Sequence, residues 1–276
     1  MLTNNQFTLS NGLNIAPIGL GTYTVHAPNL FNEAIDAGYK LFDTAAKYGN
    51  EAELGFALKH AGHNGVIVIS KVHDILYLGR KRYFHLDKRS IEKCFEISTR
   101  NLGGIQPDIY LLHSMFPRHT NAYNELISLY ETNKVRAIGV CNCMDIGELE
   151  NIRQLCGQYP MINQIEVHPF FVPQQIIDFC QDKGIQVIAR SPLAHGDILR
   201  EISISLSSIS KQYMRTTVQI ILRWLIQKHI IPIPRTNDLN HLKQNIAISD
   251  FSLSASDMRY IDSLNRNISY GFFSTR

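Results

Sequence analysis

The stretch Val135–Ala189, VRAIGVCNCMDIGELENIRQLCGQYPMINQIEVHPFFVPQQIIDFCQDKGIQVIA, alternates two kinds of segment. Its runs Val135–Val140, Ile162–Val167 and Gln186–Ala189 are mostly continuous apolar stretches rather than clean alternations. That is the pattern of parallel strands buried on both faces. Between them, Ile146–Cys156 and Pro173–Lys183 carry apolar stripes at helical spacing. Pro173 stands where a first helical turn tolerates proline, and Gly184 where a helix ends in a left-handed cap.

The alternation continues in both directions. Further strands are expected at Pro17–Leu20, Lys40–Phe42, Val66–Ser70, Asp108–Leu112 and Ile230–Ile233. Further helices are expected at Asn29–Ala37, Glu51–His60, Ser90–Leu102, Asn121–Thr132 and Thr217–Lys228, with Gly38 and Gly62 as caps. Eight strands each followed by a helix read as a closed (β/α)8 TIM barrel in the α/β class. Ahead of them, Phe7–Ser10 and Leu13–Ala16 flank Asn11-Gly12, a strong hairpin signal, and such a hairpin would cap the bottom of the barrel. A doubly wound open sheet uses the same alternation, but Gly19-Leu20-Gly21 is only GxG and no GxGxxG opens a helix. With no linker or shift in composition, residues 1–276 read as one domain.

Composition narrows the function. Of 276 residues 45% are hydrophobic and 18% charged, and the net charge is +3, too weak to argue for nucleic acid or a membrane surface. Five cysteines, an odd number without CxxC, favour a reducing compartment, and MLTNNQFTLS has no basic region followed by an apolar one. A cytoplasmic monomer is expected. Cys141-x-Cys143 has the wrong spacing for zinc, so no metal is expected. Chemistry in a barrel belongs at the carboxyl ends of its strands. There the sequence places Asp43, Lys71, His113, Cys141-Asn142, Gln164, Arg190-Ser191 and Arg235-Thr236. One polar group closing an apolar strand is ordinary. So many on one rim would lose hydration unless paired or engaged with a ligand.

Ordered blocks carry a family resemblance: FDTAAKYGNE (Phe42–Glu51), Ile69-Ser70-Lys71, PDIYLLH (Pro107–His113), RAIGVCN (Arg136–Asn142), INQIEVHP (Ile162–Pro169), Ser191-Pro192-Leu193, Leu222-Arg223-Trp224, IPRT (Ile233–Thr236) and LNRNISYGF (Leu264–Phe272). Together they resemble the aldo-keto reductases, from about Phe7 to Phe272. The resemblance implies a catalytic tetrad of Asp43, Tyr48, Lys71 and His113. Carbonyl reduction needs a hydride at carbon and a proton at oxygen. A phenol with a pKa near ~10 keeps a proton to give. An ammonium at Lys71 would stabilise the phenolate, Asp43 would hold that ammonium, and His113 would orient the carbonyl. The hydride must come from a cofactor, NADP(H), with NAD(H) as the alternative.

The resemblance assigns that cofactor to Gly21, Thr22, Cys141, Asn142, Gln164, Arg190, Ser191, Leu193, Arg235, Thr236, Asn237, His241 and Asn245. Cys141 and Arg190 depart from it, since a serine and a stacking aromatic are usual there. A guanidinium can stack on a ring but repels an oxidised nicotinamide, so Arg190 either biases binding towards the reduced form or turns away. His241 stands where a second arginine is frequent. A small-molecule carbonyl substrate is expected against Tyr23, Ser114, Met115 and Met144, with His26, Phe116, Tyr270, Phe272 and Phe273 also in rim loops or the tail. The basic Asp74–Asp87 loop is a candidate specificity element. The alternative function is a regulatory or redox-sensing barrel that binds the cofactor and turns over slowly; a structural protein of the lens type is a third.

Overall fold

The computed structural model describes residues 6–26, 28–62, 65–72, 76–78, 81–83, 88–113, 120–196 and 199–270. Strands β1 (Phe7–Thr8) and β2 (Asn14–Ile15) pair antiparallel, Phe7 opposite Ile15. Their turn is longer than Asn11-Gly12 alone. The Leu9 N–H donates to the Leu13 carbonyl at 2.9 Å, so residues 10–12 form the loop, with Gly12 at φ 84°. A three-residue hairpin loop needs one left-handed residue, and glycine takes that conformation without steric cost. Leu9, Leu13 and Ile15 join the buried cluster that holds Ile109 and Val135. Asn11 Nδ2 donates to the Arg136 carbonyl at 2.8 Å. These partners stand at the strands' amino ends, so the hairpin does cap the bottom.

The barrel strands are β3 (Leu20–Gly21), β4 (Leu41–Asp43), β5 (Ile67–Val72), β8 (Ile109–Leu112), β9 (Ala137–Cys141), β10 (Ile162–Glu166), β11 (Gln186–Arg190) and β12 (Ile231–Pro232), all parallel and in that spatial order. The two edges meet: Gly19 N–H donates to the Pro232 carbonyl and Gly21 N–H to the Pro234 carbonyl, both at 3.0 Å. The sheet therefore closes, which rules out the open doubly wound alternative. A Cβ on Gly21 would stand 2.8 Å from the Ile233 carbonyl oxygen, so any side chain there would push the last strand off the first. Within the Asp74–Asp87 segment, β6 (Leu76–Leu78) and β7 (Lys81–Tyr83) pair antiparallel where the sequence reads as a loop.

The helices are α1 (Pro28–Asp36), α2 (Glu51–His60), α3 (Lys88–Asn101), α4 (Thr120–Glu131), α5 (Ile146–Cys156), α6 (Gln174–Asp182), α7 (Leu199–Ser205), α8 (Ser207–Tyr213), α9 (Thr217–Gln227), α10 (Leu239–Ile246) and α11 (Ala255–Ser263). Four of these, α7, α8, α10 and α11, go beyond the sequence reading. Serine weakens the helical signal of α7 and α8, but buried Ile202, Leu206 and Ile209 supply the stripe that docks them. Among the described residues, no helix is long and apolar enough to cross a membrane.

Strand β5 runs two residues further than expected, so Lys71 lies inside the strand. The pleat then decides its surroundings: Ile67, Ile69 and Lys71 share one face and Val68, Ser70 and Val72 the other. Likewise Leu41 and Asp43 share a face, as do Ile162, Gln164 and Glu166. Ser70, on the opposite face from Lys71, donates to Glu51 Oε1 of α2 at 2.7 Å.

Candidate active site

At the carboxyl end of the barrel, parity brings three strands' polar residues into contact. Lys71 Nζ donates to Asp43 Oδ1 at 2.6 Å, to the Thr44 carbonyl at 2.9 Å and to the Tyr48 hydroxyl oxygen at 3.3 Å. That uses all three protons of the ammonium. The other oxygen of Asp43 accepts from Gln164 Nε2 at 2.6 Å, across the barrel from β10. Lys71 and Asp43 are only 1% and 3% exposed, so the pair is almost fully withdrawn from water. Burial works against the charged lysine, but Asp43 and Tyr48 reverse that and hold its pKa above the ordinary value. Burial pushes the Tyr48 phenol up to about 12, with Lys71 pulling the other way.

A single turn of 3-10 helix, Ala46–Tyr48, sets the phenol in place, and Gly49 closes it at φ 72°. Behind that turn Asn50 is a buried hub. Its Nδ2 donates to the carbonyls of Thr22 and Val25 at 2.6 and 2.7 Å, and its Oδ1 accepts from the hydroxyls of Thr22 and Thr44. Glu51 beside it accepts from Ser70 and from Asn101 Nδ2. The rings of Tyr23 and His113 meet Tyr48 edge-on, with centroids 5.1 and 6.0 Å away. In the sequence Asn50 and Glu51 show only as part of a motif; that Asn50 ties the segment around Tyr48 to Thr22 and Val25 is visible only in the structure.

Asn142 and Ser191, at the ends of β9 and β11, are both left-handed, at φ 57° and 49°. Such backbone is costly for residues other than glycine and tends to persist at working sites. Asn142 Nδ2 donates to the His113 carbonyl at 3.1 Å, and its Oδ1 accepts from Arg190 Nε at 2.6 Å. One amide proton is left for a ligand. Arg190 also donates from Nη2 to Glu166 Oε2 at 3.3 Å. This bears on both expectations for Arg190: the guanidinium stays on the cavity wall, but it faces a buried carboxylate.

Glu166 carries no signal in the sequence, yet it accepts from four partners on the rim. Besides Arg190 it meets His168 Nε2 at 3.1 Å, the Tyr270 N–H at 2.7 Å and the Ser269 hydroxyl at 2.8 Å. Burial disfavours its charge, but the contacts with His168, Tyr270, Arg190 and Ser269 outweigh that and lower its pKa from 4.5 to about 2. A carboxyl more acidic in the folded chain stabilises it above the unfolded value and loses that stability as pH falls towards 2. The contribution is roughly 3 kcal/mol. Urea unfolding from about pH 5 down to about pH 2 should therefore show wild type losing stability faster than Glu166→Gln. Parallel losses would contradict this role.

A cavity of about 630 Å³ opens beside these groups. It is lined by Gly21, Tyr23, Asp43, Tyr48, His113, Asn142, Gln164, Arg190, Ser191, Leu193, Arg235, Thr236, His241 and Asn245, so the structure brings most of the expected residues together. It also adds Lys47, Thr216 and Gln244. Several of the expected residues lie outside this lining. Thr22 is buried and bonded to Asn50 rather than facing the cavity. Cys141, 1% exposed, lies beside Gln164 as its cross-strand partner, and its thiol donates to Oε1 at 3.8 Å. Asn237 and Met144 are exposed and do not line the cavity. His26 is also exposed outside it, and Tyr270 docks on Glu166 instead. Ser114, Met115, Phe116, Phe272, Phe273 and most of Asp74–Asp87 lie outside the described residues.

The donor set suits a nicotinamide dinucleotide. Asn142 and Gln164 offer amide groups of the kind a carboxamide pairs with. Some distance along the same cavity, Arg235 and His241 offer cationic or donor groups to phosphate, with Arg235 Nη1 donating to the Thr24 hydroxyl.

Comparisons with known proteins agree. The family model described as "Aldo/keto reductase family" matches residues 17–266. The chain is 35% identical to an uncharacterised oxidoreductase, YtbE, of Bacillus subtilis, covering 96% of this chain and 94% of that one. It is 32% identical to glyoxal reductase of the same organism, covering 94% and 92%. A crystal structure of a Gox0644 mutant in complex with NADPH superposes with a TM-score of 0.85 at 27% identity, covering 95% of this chain and 93% of that one. This chain is a member of the aldo/keto reductase family.

Proposed function

We propose that the protein reduces a small aldehyde or ketone to an alcohol with NADPH, and that Tyr48 gives the proton. One observation carries this: the phenol oxygen of Tyr48 accepts from an ammonium that Asp43 holds charged. Because Lys71 can only donate, the hydroxyl's own proton is left to point elsewhere, and the cavity is what remains open to it. A bound nicotinamide supplies the hydride. As the carbonyl oxygen takes up charge, Tyr48 passes its proton to it, and Lys71 stabilises the phenolate left behind. Asp43 offsets the cost of burying Lys71, and Gln164 holds the second carboxylate oxygen in place. His113 lines the cavity beside Tyr48, where it can direct the carbonyl oxygen. The raised Tyr48 pKa keeps the acid protonated across the neutral range.

The direct test is NADPH consumption with a panel of small aldehydes and ketones, with alcohol identified as the product. Binding of NADPH without turnover on any of them would favour the slow regulatory barrel. Preference for the phosphorylated cofactor is assigned to Arg235. Arg235→Ala should weaken NADPH by about ten- to a hundredfold and NADH by less than about threefold. Calorimetric titration reads both, and equal losses would remove Arg235 from phosphate recognition. The reading carries with it a cytoplasmic monomer acting on a small molecule, supported by five free cysteines and by a modest net charge.

A further inference from the structure

We infer that Glu166 is a positioning residue whose negative charge, acting through Arg190, sets how the site divides its affinity between oxidised and reduced nicotinamide. The inference rests on the cofactor reading above and goes beyond it. Glu166 and Arg190 are direct cross-strand partners in the β10–β11 register. Their side chains are unequally exposed, 2% for Glu166 and 22% for Arg190. The carboxylate is thus sealed in the wall while the guanidinium shows part of its surface to the cavity. Two donations fix that surface: Nε to Asn142 Oδ1 at 2.6 Å and Nη2 to Glu166 Oε2 at 3.3 Å. The guanidinium plane therefore cannot swing out to follow a phosphate without breaking both.

Charge decides the consequence. An uncompensated cation on this wall would repel the positive ring of an oxidised nicotinamide and leave the neutral reduced ring little affected. With Glu166 ionised beside it, the wall presents a nearly neutral pair and both forms are admitted. Removing either partner unbalances the pair in opposite senses. Glu166→Gln leaves the cation and disfavours the oxidised form. Arg190→Tyr removes the one charge that shows surface to the cavity and supplies a neutral ring, so it favours the oxidised form and leaves the sealed Glu166 carboxylate no cation to act through. Asn142 follows the same clamp, so its remaining amide proton is oriented by Arg190 rather than by its own backbone alone.

Calorimetric titration of the full chain with NADP+ and with NADPH tests this, a readout independent of turnover. In Glu166→Gln the NADP+ Kd should rise about tenfold while that of NADPH moves less than about threefold. In Arg190→Tyr the ratio should shift the other way, and adding Glu166→Gln to that background should then have no further effect on it. Ser269→Ala, which removes one tie of the tail but keeps the ion pair, should leave the ratio as in wild type. Should Glu166→Gln fail to fold, the opposite shift in Arg190→Tyr carries the test alone. Equal losses for both cofactor forms, or a Glu166→Gln shift that persists without Arg190, would overturn the inference and leave the reductase reading standing. A wild type that binds neither form would overturn both.

Discussion

Tyr48→Phe is expected to lower kcat by about a hundred- to ten-thousandfold while NADPH binding and folding are preserved. The substitution removes one oxygen and keeps the ring that meets Tyr23 and His113 edge-on. The lost oxygen is also the third acceptor of Lys71, but Asp43 and the Thr44 carbonyl remain for that ammonium. The scaffold therefore keeps its strongest bonds and only the proton donor goes. Steady-state rates beside a thermal melt separate the two effects. A variant with near-normal kcat would move the proton transfer to another group, and His113 would be the next to test.

Lys71→Met should have an even broader effect, because it strikes stability and chemistry together. The change strands the Asp43 carboxylate in a nearly dry site with Gln164 as its remaining side-chain partner. Breaking a buried pair from one side costs about 3–5 kcal/mol. For a chain of this size that is a fall in melting temperature of roughly 10 °C. Turnover should fall at least about a hundredfold as well, because the phenolate left by proton transfer would have no cation beside it. A Lys71→Met protein that melts like wild type would mean that the Asp43–Lys71 pair contributes little to the fold.

What the sequence disclosed and what it hid divide along a physical line. The strands were legible because their runs stay apolar on both faces, and their ends could be read off as the residues where that stops. This located Asp43, His113, Asn142 and Arg190, while Gln164 stood out as a polar residue within its run. Which way a strand-end side chain points depends on where the strand begins and ends, and Lys71 shows the limit: two more residues on β5 place it inside the strand. Burial at the strand ends was equally hidden, and Cys141 is buried beside Gln164 and outside the cavity lining. The Glu166–Arg190 pair follows from the register of β10 against β11, and register leaves no mark in a continuous apolar run. Helices α7 and α8 were obscured by serines whose weak propensity is overridden by three buried apolar side chains.

The central claim is that this mouth delivers a hydride to a carbonyl carbon while Tyr48 protonates its oxygen. The most direct test is to supply NADPH carrying deuterium at the transferable position together with an aromatic aldehyde, and to examine the alcohol by mass spectrometry and NMR. The account predicts one deuterium on the carbinol carbon in wild type and almost no labelled alcohol from Tyr48→Phe in the same time. Alcohol formed without label, or formed equally fast by Tyr48→Phe, would contradict it.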